Sequence, residues 1–366
     1  MSNYYNPVKI IKTNNWVDEL NSSILKLDIL NPIIVTSHGN RKRLKLDSKF
    51  NSDSIYSDVG SNPNFDECNN ALEFCCDRNF DGVIAFRGGS VMDLAKVIMA
   101  YLSLGEMDIT KLISYKEEYT KNIPSIFFPT THGTASEVTM WGTIWDMDEK
   151  KKYSISHPSL YPTIAVLDGS LTLTLPLSIS IVTSMDALSH SFESIWNKNA
   201  NKISTDFAIT AICSIIENIT KLKNNPLSLE NRNNLLEASD IAGLAFSNTE
   251  TAAAHSISYP LTINYNIPHG IACSMPLLSL IKINKNAIID ELDQILLNLK
   301  FTNINDLIDI IRKIPEDIVK FNLNEWGVKE SELPNLVKQS FTKDRIENNI
   351  IDLTIQDIEK ILIDIF

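Results

Sequence analysis

Short apolar runs in the first half of the chain each end on a turn rich in hydroxyls, glycine or acid, and this rhythm constrains the fold most. Ile33-Ile34-Val35 runs into Thr36-Ser37-His38-Gly39, and Val83-Ile84-Ala85-Phe86 into Arg87-Gly88-Gly89-Ser90. Ile126-Phe127-Phe128 runs into Pro129-Thr130-Thr131, and Ile164-Ala165-Val166-Leu167 into Asp168. Strands without polar alternation must be covered on both faces, which predicts a parallel sheet between layers of helix. Ligands of such sheets bind beyond the carboxyl ends of the strands, where these turns lie.

From about Leu177 the spacing becomes helical, first over 181–195 and then over 235–257. The second stretch carries Ala238, Ala242, Gly243, Ala245, Ala252, Ala253 and Ala254, small residues that let helices approach closely. It is expected to form one buried central helix. Stretches 288–299, 304–314 and 355–366 are amphipathic and should pack outside it. A chain of 366 residues exceeds one ordinary core. The expected division is a nucleotide-binding α/β domain over 1–176 and a helical, metal-binding domain over 177–366.

Composition removes several function classes. The net charge of -12 argues against a nucleic-acid partner, which needs a basic surface. The five cysteines form no CxxC pair, so neither a disulfide framework nor a thiolate zinc site is expected. No run approaches the roughly 18 uninterrupted apolar residues of a membrane span. The polar N-terminus does not read as a secretory signal, so the expected location is the cytoplasm.

Two turns have the chemistry of a nucleotide site. Gly88-Gly89-Ser90 opens a helix predicted over 91–102, where backbone N–H groups and the helix N-terminus favour a phosphate. Asp93 and Lys96 lie on its next turns. The loop Thr130-Thr131-His132-Gly133-Thr134-Ala135-Ser136-Glu137 also follows a strand and can wrap a pyrophosphate and a nicotinamide. Each loop taken alone also fits an ordinary strand-to-helix or Ser/Thr turn. Asp186 and His190 are four apart, on one face of a predicted helix, and His255 and His269 lie further along. Three imidazoles and a carboxylate suit Fe(II) or Zn(II). By spacing alone, the same residues also fit hydrogen-bonded core histidines.

Together these motifs and their flanks resemble the iron-containing (group III) alcohol dehydrogenase family, from about Ile33 to Leu277. The resemblance covers Gly88-Gly89-Ser90 with Asp93 and Lys96, the threonine loop through Thr139, Asp186-Ala187-Leu188-Ser189-His190, His255, and His269-Gly270. It implies a Rossmann-like α/β domain followed by an all-helical domain, a dehydroquinate-synthase-like fold, with the active site in the cleft between them. It also implies a metal held by Asp186, His190, His255 and His269. An NAD(P) cofactor is expected at Ser37, Arg41, Gly88, Gly89, Ser90, Asp93, Thr130, Thr131, Thr134 and Ser136. The activity implied is aldehyde reduction or alcohol oxidation by a homodimer or larger assembly. Arg87 departs from a family glycine, His132 and Ala135 from small loop residues, and Tyr259 from a histidine near the nicotinamide. Tyr259 is therefore the candidate proton carrier.

Within the family, several stretches resemble the branch of phosphonoacetaldehyde reductases, also called hydroxyethylphosphonate dehydrogenases. They include Ile144-Trp145-Asp146, His157-Pro158, Trp196-Asn197-Lys198-Asn199 and Ser258-Tyr259-Pro260-Leu261. A small anionic aldehyde is then the expected substrate, with Lys152, Asn197 and His132 as candidate partners. No carboxylate follows the first of the four runs, where Arg41 instead offers a cation to a 2′-phosphate, so NADPH is expected ahead of NADH. The rival readings are a lyase that uses NAD transiently and a scaffold that keeps metal or nucleotide without turnover.

Overall fold

The computed structural model describes residues 4–146, 151–341 and 343–366. Contacts divide them into two units. The first is Asn6–Thr130 with Ala135–Thr172, and the second is Leu173–Phe366 with Tyr4, Tyr5 and Thr131–Thr134.

The first unit is a parallel sheet. Its strands are β1 (Lys9–Lys12), β2 (Pro32–Val35), β3 (Ile55–Tyr56), β4 (Gly82–Phe86) and β5 (Ser125–Phe128), with β8 (Ile164–Leu167) following a hairpin of β6 (Trp141–Asp146) and β7 (Lys151–Ser156). The sheet order is β1-β8-β5-β4-β2-β3, and β6–β7 pair antiparallel on their own. The helices are α1 (Trp16–Lys26), α2 (His38–Arg43), α3 (Phe65–Cys75), α4 (Gly89–Leu104) and α5 (Ile109–Ser114).

Side chains alternate strictly between two buried faces. Ile33, Val35, Val83, Ala85 and Phe127 share a cluster with Cys68, Leu72, Val91 and Met99 of α3 and α4. Ile34, Ile84, Phe86, Ile126, Phe128 and Val166 share another with Leu20 of α1 and with Leu46. Burying such a side chain stabilises by about 1.5–3 kcal/mol, and with both faces filled the order of packing fixes the register. The four central strands match the apolar runs in the sequence. The edge strands β1 and β3 and the hairpin were not apparent there, because they are short or flanked by lysines and carry no long apolar run.

The strand order changes direction between β2 and β4: β3 lies beyond β2, while β5 and β8 lie beyond β4. Such a switch point opens a crevice at the carboxyl ends of the strands, where nucleotides bind in open parallel sheets. Thr36 Oγ1 and Asn40 Nδ2 both donate to Phe86 O (2.9 and 3.2 Å), tying the turn after β2 to the end of β4.

The second unit is helical, with α6 (Leu177–Ile195), α7 (Lys202–Asn224), α8 (Leu229–Thr249), α9 (Ala253–Tyr265) and α10 (His269–Ser274), followed by shorter helices. By length and composition α7 passes for a membrane span, yet its Ala208, Ile212, Ile215 and Ile219 lie in the helical core, and α7 packs on α6 and α8.

One expectation is corrected. The stretch 235–257 is two helices, because Glu250 stops α8 at φ 63°, ψ -178°. That conformation is close to glycine-only and costs of order 1–3 kcal/mol. Tertiary contacts hold it: Asn197 Nδ2 donates to Glu250 O (3.2 Å), and Arg345 pairs with the Glu250 carboxylate (2.6 Å). His255 therefore sits in the first turn of α9.

Candidate metal centre and nucleotide loops

Helix α6 presents Asp186 and His190 one turn apart, as the i,i+4 spacing requires, with 3.9 Å between Asp186 Oδ1 and His190 Nε2. Helix α9 brings His255 Nε2 to 3.6 Å from the same oxygen, and α10 brings His269 Nε2 to 3.8 Å. The His190 and His255 rings stack with centroids 4.6 Å apart. Three of the four predicted ligands, the histidines, thus converge on a carboxylate oxygen of the fourth, Asp186.

Gly270 permits this. A Cβ there would lie 1.9 Å from Val182 O and 3.1 Å from Asp186 Cβ, so only glycine lets α10 press against α6 beside the carboxylate.

The electrostatics follow from burial. Burial alone raises the Asp186 carboxyl, but the facing histidines His190, His269 and His255 outweigh it and hold the group well below the usual carboxylate range. Burial likewise depresses His255, yet Glu193 and Asp186 outweigh it and bring His255 up to about 9. Glu193 is fully buried and accepts from His255 Nδ1 (2.5 Å) and from the His255 backbone N–H (3.1 Å). That bond fixes the ring and leaves Nε2 facing Asp186, buried and without a hydrogen-bond partner. A buried histidine with one nitrogen held by a carboxylate and the other facing an acid and further imidazoles has the arrangement of a metal ligand. The donor set fits a divalent ion such as Fe(II) or Zn(II).

Sequence reasoning missed two residues here. Glu193 lies on α6 three residues after His190. Cys273 lies on α10 four residues after His269, and its Sγ is 3.3 Å from Asp186 Oδ1. Donor atoms of Asp186, His255, His269 and Cys273 all lie within 4.8 Å of one another, a set that does not include His190. The signal available was helical spacing from a named ligand.

In the sheet unit, Ser37 caps α2, and Gly88 is the N-cap of α4, with Gly89 and Ser90 on its first turn. Both follow strands that flank the switch point. Ser90 Oγ donates to Ser61 O. Thr130 is buried and its N–H donates to Arg87 O (3.3 Å). Arg87 holds the carbonyls of Val59 and Gly60 (3.0 and 3.1 Å). Asp93 accepts from Ser136 Oγ (2.9 Å), and buried Lys96 donates to Ser136 Oγ, Thr139 Oγ1 and Trp141 O (2.8, 3.1 and 2.7 Å). Burial pushes Lys96 down to about 8. This polar knot ties the threonine loop to α4, so Asp93 and Ser136, expected at the cofactor, bond each other. Ala135 turns the loop in the left-handed region at φ 47°.

Arg41, expected to face a 2′-phosphate, is bound by Asp47 through Nε and a 2.5 Å contact. Asn197, expected at the substrate, is buried, with Nδ2 on Glu250 O and Oδ1 accepting from Asn199 N–H (2.9 Å). His132 is also buried, and both ring nitrogens lack partners. Burial and then the nearby Arg232 charge push it down to about 3, so it is neutral and offers no cation. Thr131 and Thr134 lie with it in the segment grouped with the helices, where His132 N–H donates to Thr183 Oγ1 (3.2 Å). Lys152 is half-buried on β7, its ammonium 5.9 Å above the Trp145 ring. Tyr259 lies on α9 against the Arg345 side chain.

Comparison with known proteins assigns the chain to a family. Residues 7–169 match the model of iron-containing alcohol dehydrogenases, and residues 180–366 match the C-terminal model of the Fe-containing alcohol dehydrogenase family. The long-chain-alcohol dehydrogenase 1 of Geobacillus thermodenitrificans is 34% identical over 59% of this chain, a stretch spanning 55% of that relative. The 4-hydroxybutyrate dehydrogenase of Clostridium kluyveri is 30% identical over 74% of each chain. The crystal structure of sulfoacetaldehyde reductase from Bifidobacterium kashiwanohense in complex with NAD+ is 26% identical, covers 100% of this chain and 98% of that one, and superposes with a TM-score of 0.91. The chain belongs to the iron-containing alcohol dehydrogenase family.

Proposed function

We propose that the protein is a metal-dependent, nicotinamide-linked oxidoreductase that interconverts a small anionic aldehyde, phosphonoacetaldehyde, and its alcohol, 2-hydroxyethylphosphonate. The observation that carries the reaction class is the convergence of His190, His255 and His269 on Asp186, with His255 Nε2 buried and unpartnered. A divalent ion held by these residues supplies Lewis-acid polarisation of a carbonyl, and a nicotinamide supplies the hydride.

The chain's own residues do the rest. Glu193 holds His255 in one ring orientation. The turns after β2 and β4 flank the switch-point crevice, with Ser37 and the first turn of α4 as the phosphate-facing groups. Thr130, Thr131 and Thr134 line the third turn and are assigned to the dinucleotide. Tyr259, steadied by Arg345, is assigned to carry the proton. Of the three candidates for the anionic end of the substrate, Lys152 alone brings a positive charge, so it replaces His132 and Asn197 in that role.

The anionic substrate is supported by the matching sequence stretches and by the similarity to a sulfoacetaldehyde reductase, whose named substrate is also a two-carbon aldehyde bearing a tetrahedral anion. NADPH stays ahead of NADH because no carboxylate follows β2.

A steady-state panel tests the assignment, using phosphonoacetaldehyde, sulfoacetaldehyde and propanal with each nicotinamide and added Fe(II) or Zn(II). The expected kcat/KM for phosphonoacetaldehyde is about tenfold or more above that for propanal. A ratio near one removes the anionic substrate, and a higher value for sulfoacetaldehyde moves the assignment to the sulfonate.

A further inference from the structure

Cys273 is not explained by packing alone. Cys68 and Cys75 are buried in the apolar cluster of the sheet unit, as unreactive thiols usually are. Cys273 is equally buried, yet its sulfur lies 3.3 Å from a carboxylate oxygen that three histidines also face. Helix α10 brings it there together with His269, and the contact at Gly270 sets how closely that helix approaches α6. One donor atom each from Asp186, His255, His269 and Cys273 falls within a sphere that a single ion can span. Bonds of about 2.0–2.3 Å place neighbouring ligands of one ion roughly 3–4 Å apart. His255 Nε2 is a second, independent pointer, since it is buried, unpartnered and aimed into the same set.

We propose that Cys273 contributes a further, sulfur ligand to the ion held by Asp186, His190, His255 and His269, so that this site takes zinc in preference to iron(II). The proposal rests on the metal reading of these residues given above. Forming the metal–sulfur bond breaks the S–H bond and releases its proton to water, with no change in oxidation state. A thiolate is a softer donor than imidazole or carboxylate and shifts selection toward zinc. The competing arrangement keeps the thiol as a hydrogen-bond donor to Asp186 and to the carbonyls of His269 and Gly270, at 3.1 and 3.7 Å.

X-ray absorption on the full chain, stripped with chelator and reloaded with one equivalent of Zn(II), separates the two without any mutation. The expected spectrum has a sulfur shell at about 2.3 Å beside nitrogen and oxygen at about 2.0–2.1 Å. Cobalt(II) loading gives a second readout: visible d–d bands report binding, and a near-ultraviolet sulfur-to-cobalt band reports Cys273. Cys273→Ala should keep the d–d bands, lose the near-ultraviolet band, and lower the zinc-over-iron preference about tenfold or more. Bound zinc with only nitrogen and oxygen neighbours overturns the sulfur ligand and leaves the metal centre standing. A wild-type chain that takes up neither zinc nor cobalt overturns the metal centre and the sulfur ligand together.

Discussion

His132 is a buried imidazole among otherwise small loop residues, and both its ring nitrogens lack hydrogen-bond partners. Its pKa falls to about 3, below the ordinary imidazole value of about 6.5, because burial and then Arg232 penalise the cation. Between those values the unfolded chain binds the extra proton and the folded chain does not. Stability from the neutral ring is therefore fully present above about pH 6.5 and is lost as pH falls toward about 3. Between pH 7.5 and 4.5 the loss is about 2–3 kcal/mol. His132→Phe keeps a ring of similar shape and removes the titration. Urea midpoints at the two pH values should differ less in this variant than in the wild type. An unchanged difference would place the acid sensitivity elsewhere. Residue identity alone did not show this state, because a histidine in a hydroxyl-rich loop reads as a ligand-facing cation until burial and Arg232 are known.

Among the elements, α10 is short, and its position depends on Gly270. Gly270→Ala should destabilise the protein by about 3 kcal/mol, since the added methyl meets the backbone oxygen of Val182 rather than a movable side chain. Metal affinity should fall with it, because His269 rides on the same helix. Gly39, in α2, has nothing within 4 Å of an added Cβ, and alanine there should be neutral or stabilise by roughly 0.5–1 kcal/mol. Denaturant curves of the two variants check the contrast, and equal losses would sink it.

Elements were legible where local pattern and tertiary demand agree. Strands β2, β4, β5 and β8 are continuous apolar runs because both faces are covered, and Asp186 and His190 share a helix face by spacing alone. The break between α8 and α9 was not legible, because Glu250 is held by Asn197 and by Arg345, 95 residues away. Cys273 and Glu193 needed the third dimension for the same reason: each is ordinary in its own helix and becomes notable only beside Asp186 or His255.

For the whole molecule, ligand linkage sets the scale. An ion that binds only the folded chain adds about 2.7 kcal/mol at a hundred times its Kd, or roughly 5–10 °C in a unit of this size. Thermal scans with added Zn(II) should show that rise, and chelator should reverse it. Asp186→Asn should abolish the response, because Asp186 is the oxygen on which the three histidines converge.

The grouping of Thr131–Thr134 with the helices also bears on the order of events during synthesis. The strands are complete once residue 172 has left the ribosome, but the surroundings of His132 come from residues 173 onward. At ordinary elongation rates those later residues take roughly 10–40 s to appear. Throughout that interval the loop between β5 and β6 is moored at Ser136, through Asp93 and Lys96 of α4, while the stretch that carries His132 awaits the helices. Burial of that one ring is thus a late timestamp on maturation: His132 leaves water only after the residues of the helical unit have been made.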